Sequence, residues 1–199
     1  MFQILSLALI ASLPAGSVPC SEKESLADPD NWHLSDVCAN YLENGEETPT
    51  YSATFLASLN PQPASQQVLI FRRDDQWHMR VAGYLWRPGR SLVEHRRNEF
   101  SISDADANAL AALMDNATLE RLAAQPYYGA GDVICVDGAR FQLDRAERGQ
   151  RFSAAQHSCA GSTQINEIFA SFRAVAVKYD AGFDGFLRGF KTKTAAAAP

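Results

Sequence analysis

The sequence is poor in the patterns that usually betray chemistry. Its four histidines, His33, His78, His95 and His157, are scattered, without the short paired spacings that set two metal ligands on one helix face or in one zinc knuckle. No Gly-x-Ser-x-Gly elbow is present, and "YYGAGD" lacks the Lys-Ser/Thr of a phosphate loop, so the signatures of α/β-hydrolases and P-loop enzymes are missing. "DPDNWHLSD" offers oxygen ligands, but with neither the Gly at the sixth position nor the Glu at the twelfth that a calcium loop needs. No metal, no cofactor and no named catalytic residue is therefore expected. No apolar run is long enough to cross a bilayer as a helix, no repeat occurs, and no linker divides the chain. Basic excess is absent too: the formal charge is −5, which argues against nucleic acid as a partner.

What remains is an ordinary globular composition, 46% hydrophobic and 21% charged over 199 residues, enough for one domain with its own core. The opening "MFQILSLALIASLPAGSVPC" is apolar and then turns to small, turn-forming residues, the order of a secretory signal peptide. Ala15 and Ser17 place cleavage before Val18, so residues 1–17 form the expected leader and 18–180 the domain. No Lys or Arg precedes the apolar run. Acylation of Cys20 is the alternative, disfavoured by Pro19 before it and by the odd cysteine count it would leave. Four cysteines, Cys20, Cys38, Cys135 and Cys159, predict two disulfides in an oxidising compartment. Three pairings are possible; proximity favours Cys20 with Cys38 and Cys135 with Cys159.

Between Cys20 and Asn60 the chain is acidic and turn-rich, with one short helix predicted near Leu34 to Leu42. "YSATFLASL" alternates as a half-buried strand. A hairpin follows in "QQVLIFRRDDQWHMRVAGYLW", turning at Asp74 and Asp75, and "SLVEHRRNEFSI" is a further strand. Ser103 and Asp106 have capping-box spacing ahead of a helix burying Leu110, Leu113 and Met114. A second short helix is expected with Asn116 as its cap. A second hairpin runs through "ERGQ", its Phe141, Leu143, Phe152 and Ala154 facing inward and its other face polar and outward. Ile165, Ile168, Phe169, Phe172, Val175, Ala176 and Tyr179 recur at helical spacing. Residues 181–199 are expected as an extension, where Phe183, Phe186 and Phe190 could dock on a partner. Strands joined by turns, with helices following, predict an α+β domain: a mostly antiparallel sheet with helices packed on one face.

His157 stands two residues before Cys159, but residues two apart on a strand lie roughly 6 to 7 Å apart at Cα. A disulfide clasp on the hairpin therefore outweighs a reactive thiol. The strongest functional feature is the basic middle of the chain. On its second strand His78, Arg80, Tyr84 and Trp86 fall on one face, and arginine beside aromatics grips anions or protein partners. The competing expectation is that the acidic N-terminal segment covers these strands.

The "C-x-D-G" start at Cys135, Asp137 and Gly138, the hairpin ending near Cys159 and the amphipathic helix after it resemble small exported proteins of Gram-negative bacteria without an assigned function. That resemblance implies a periplasmic address and carries no catalytic residue. The expectation is thus a periplasmic or secreted, non-enzymatic protein that binds a protein partner or an anionic ligand, with no transmembrane segment once the leader is removed. An inhibitor or immunity-type protein acting on an envelope enzyme is the first alternative. A hydrolase using a carboxylate pair is the second.

Overall fold

The computed structural model describes residues 17–20, 32–44, 48–57, 65–87, 91–129 and 138–183. The expected leader apart from its last residue, Ser17, together with Cys135 and the phenylalanines beyond Phe183, lies outside them. The elements in chain order are β1 (Ser17–Pro19), α1 (Trp32–Glu43), β2 (Thr50–Ala57), β3 (Ser65–Arg73), β4 (Gln76–Arg87), β5 (Ser91–Ser101), α2 (Asp104–Leu113), α3 (Asn116–Ala123), β6 (Ala139–Glu147), β7 (Gln150–His157) and α4 (Thr163–Tyr179). The strands form one seven-stranded sheet in the order β1-β7-β6-β2-β3-β4-β5, antiparallel throughout. β2 to β5 are a meander; α2 and α3 carry the chain back so that β6 pairs with β2.

Both tight hairpins turn on two residues of positive φ, the conformation that matches strand twist. Asp74 and Asp75 (φ 52° and 59°) close β3 to β4, with Arg73 opposite Gln76. Arg148 and Gly149 (φ 53° and 71°) close β6 to β7. The second turn is also an anchor: Gly149 donates its N–H to the Tyr41 hydroxyl of α1 at 3.0 Å, and its carbonyl accepts from the Cys20 N–H at 2.8 Å.

One sheet face carries Tyr51, Ala53, Val68, Ile70, Met79, Val81 and Leu143, buried against α2, α3 and α4. From α4, Ile165, Ile168, Phe169, Phe172 and Ala176 enter this core, as their spacing predicts. On α2 the buried stripe is Ala107, Leu110 and Met114, whereas Leu113 is exposed, since one position before Met114 turns a helical side chain by about 100°. Ser103 caps α2, accepting the Asp106 N–H at 3.2 Å. The cap of α3 is Asp115, which accepts the Thr118 N–H at 2.6 Å. Asn116, the expected cap, instead accepts from Arg145 of β6 at 3.0 Å.

The other sheet face is not the solvated surface that polar residues on the second hairpin suggested. α1 lies across one end of it, packing Val37, Cys38 and Tyr41 on Leu69, Phe71 and Ala146. The Cys20–Cys38 disulfide ties β1 to this helix. Gln142 and Asp144, expected to point outward, are buried.

Candidate functional site

Cross-strand register builds the second face row by row. Asp144 on β6 stands opposite Ser153 on one side and Ser52 on the other; Ser52 faces Leu69, Leu69 faces Arg80, and Arg80 faces Glu99. Two polar groupings result, one at each end of the row.

At the β3-β4-β5 end, Phe71 is the floor. The His78 ring stacks on it at 5.6 Å between centroids and 17° between planes. The guanidiniums of Arg80 and Arg73 lie 5.2 and 5.5 Å from the same ring centre. All three basic side chains converge on Glu99. Arg80 donates from Nε and Nη2 to Oε2, both at 3.2 Å, while Arg73 Nη2 donates to Oε1 and His78 Nδ1 lies 3.8 Å from that oxygen. Burial works to raise the Glu99 carboxyl, but hydrogen bonds from Arg73 and Arg80 outweigh it and hold the group below its ordinary value. Two guanidiniums thus face one carboxylate. Side-chain exposure falls from 44% at Arg73 through 28% at Glu99 to 14% at Arg80, so solvent reaches the cluster through Arg73 and Glu99.

The structure therefore brings together two of the four residues expected at the site, His78 and Arg80. Tyr84 is buried, at 5% exposure, and offers no open aromatic surface. Trp86 has its side chain outside the described residues. Glu99 and Arg73 complete the cluster. Glu99 is not apparent from strand periodicity, because β5 carries a bulge: Gly83 pairs with Arg96 but Tyr84 with Glu94, leaving His95 extra. The counter-charge comes from the neighbouring strand; of the acidic segment between Cys20 and Asn60, α1 packs on Leu69 and Phe71 of β3, while residues 21–31 lie outside the described residues.

At the β6-β7 end the face is polar and buried. Asp144 accepts from Ser153 Oγ at 2.5 Å and from Gln142 Nε2 at 3.0 and 2.9 Å. Gln67 Nε2 donates to Ser52 Oγ at 3.0 Å, and Ser52 and Thr54 share a hydrogen bond at 3.3 Å. Burial pushes the Asp144 carboxyl up to about 6, against the lowering effect of Ser153 and Gln142. Among the described residues Asp144 is the one fully buried carboxyl. No three His, Cys, Asp or Glu side chains converge as metal ligands among them.

Cys159 is disulfide-bonded, the Cys135 end of the expected clasp lying outside the described residues. His157 Nδ1 accepts the Cys159 backbone N–H at 3.3 Å and caps the short turn Ser158–Ala160. The imidazole is thus a cap on the turn and is not poised as a base on sulfur. Among the described residues no helix is long and apolar enough to cross a membrane. Comparison with protein-family models, with curated proteins and with solved structures gave no match to this chain.

Proposed function

We propose that the protein is an exported, non-enzymatic binding protein that takes an anionic ligand or an acidic protein surface at Arg73, His78 and Arg80. The observation that carries this reading is the convergence of two guanidiniums and an imidazole on the single carboxylate of Glu99, which leaves one positive charge in excess. A fork already shaped around a carboxylate is pre-organised for another, so little side-chain entropy is lost on binding. Phe71 beneath the guanidiniums holds them within cation–π distance of its ring. Disulfide-bonded cysteines, Cys20 to Cys38 among them, support an oxidising compartment, the periplasm or the extracellular space.

The test is an NMR titration of the labelled protein with a hexaglutamate peptide and, separately, with citrate. Saturable shifts are expected at Arg73, His78, Arg80 and Glu99, weakening with added salt and lost in Arg73→Glu. Absence of shifts at millimolar probe, or shifts confined to another face, removes the reading.

A further inference from the structure

The fork formed by Arg73, His78 and Arg80 already holds an anion, and that anion belongs to the protein. Arg80 donates from Nε and Nη2 to Oε2 of Glu99 at 3.2 Å, and Arg73 donates to Oε1. The Nε–Nη2 edge is one through which a guanidinium meets a carboxylate with paired hydrogen bonds, so a second carboxylate cannot take that edge of Arg80 while Glu99 keeps it. Arg80 is the least exposed of the three side chains at 14%, against 28% for Glu99. The way from solvent to Arg80 therefore leads past the Glu99 carboxylate.

The two sides of the cluster are attached unequally. Both guanidiniums rest within cation–π distance of Phe71, which is fully buried, so each has a hold on the fold besides Glu99. The carboxylate has no such second hold. Among the described residues it accepts hydrogen bonds from Arg73 and Arg80 alone, with His78 Nδ1 beside it at 3.8 Å. Glu99 also stands on β5, the last strand of the sheet, with no described strand on its outer side. Its backbone stays paired with β4 while its side chain turns to water, and an ion pair half open to solvent is exchanged for hydration at small cost.

From cations seated on a buried ring and an anion held by those cations alone, we infer that Glu99 is an internal stand-in for the ligand, and that an incoming carboxylate displaces it from Arg73 and Arg80. Such an exchange presupposes the anion-binding site proposed above; it adds the chemistry of the ligand group and a built-in competitor that regulates access. The guanidinium hydrogen bonds are kept, since one carboxylate replaces another. A tethered competitor acts at an effective concentration of order millimolar, so a lone carboxylate displaces it poorly. A ligand with several carboxylates draws on the excess positive charge as well, which selects acidic chains and polycarboxylates over single acids.

Citrate is the probe, followed by NMR. In the unmodified protein the Glu99 Cδ resonance is expected to move saturably, in step with the Arg80 Nε–H, towards the position of a solvated glutamate carboxylate. Glu99→Gln is expected to bind citrate about tenfold more tightly than the unmodified protein. Asp75→Asn controls for net charge: the Asp75 side chain is fully exposed and pairs with Arg72 outside the cluster, and asparagine suits its positive φ. Its affinity should stay within about twofold of the unmodified protein, as a distant exposed charge is screened. The exchange is overturned if Arg73 and Arg80 respond to citrate while Glu99 Cδ stays in place, or if D75N gains as much as E99Q. It is equally overturned if E99Q binds citrate no more tightly, the result expected of a glutamate that only positions the arginines. In each of these cases the protein still binds citrate and the binding reading survives. Silence of both the unmodified protein and E99Q removes the binding reading and the exchange together. The Glu99 resonance in the unmodified protein decides the matter even if E99Q does not fold.

Discussion

Arg80 gives both its Nε and its Nη2 to one oxygen of Glu99, the residue directly opposite it on β5, and leaves the other oxygen to Arg73. The two arginines are therefore joined through a carboxylate, and each holds that carboxylate in place for the other. Replacing Glu99 by Gln should lower stability by about 1 kcal/mol, the scale of a charge-assisted contact open to solvent on one side. Urea denaturation at neutral pH measures it. Equal stability of E99Q and the unmodified protein would mean the cluster contributes nothing to the fold.

Asp106 links α2 to the end of α4. Hydrogen bonds from Lys178, Tyr179 and Ser103 hold its carboxyl down at about 2, below an ordinary 3.8. A group lowered in the folded state stabilises it fully above about pH 4, and that contribution is lost as pH falls towards about 2. Stability measured in urea between these values should fall with acid, and more gently in Asp106→Asn. The same slope in D106N would assign the acid sensitivity elsewhere.

Asp144 should act with the opposite sign. Its folded value of about 6 lies above the ordinary 3.8, so the folded state holds its proton more tightly and stability declines as pH rises from about 4 through about 6. Asp144→Asn removes this component while keeping an oxygen for Ser153 to donate to. The difference in unfolding free energy between the two proteins should therefore move in favour of D144N as pH climbs. A carboxyl resonance of Asp144 that titrates near 4 by NMR would contradict the expectation.

Removing the Cys20–Cys38 bridge, which closes 18 residues of sequence, should cost about 3 kcal/mol by the loop-entropy estimate. The loss should be local first. In Cys20→Ser with Cys38→Ser, hydrogen exchange is expected to speed in β1 and α1 before the meander. Uniform loss of protection would show that α1 and the sheet open as one unit.

Much of this architecture is legible in the sequence. β2 and β4 follow from period-two alternation, the β3-β4 turn from Asp74 and Asp75, and α4 from apolar residues at helical spacing, whereas β5 alternates poorly. Alternation was less informative for β2 and β6. Ser52, Thr54, Gln142 and Asp144 are placed by their polarity on a solvated face, yet they are buried, and their hydrogen bonds to one another and to Gln67 and Ser153 depend on register across four strands. The site was half visible for a related reason. His78 and Arg80 share a strand, so their common face follows from periodicity, whereas Glu99 reaches Arg80 through a pairing whose register the His95 bulge displaces. The cap of α3 was displaced by one residue because Asp115 and Asn116 are both competent, and Arg145 takes the second.

The sheet has two margins, and each is blunted by a different device. β1 offers only three residues, Ser17–Pro19, and ends against Cys20, whose N–H is already bound to Gly149. β5 is eleven residues long, with no described strand on its outer side, but it is bent by its bulge and carries Arg96, Arg97 and Glu99. A short border and a kinked, charged one are both poor templates for strand addition. Copies of this chain should consequently resist pairing strand to strand along these two margins into extended sheets.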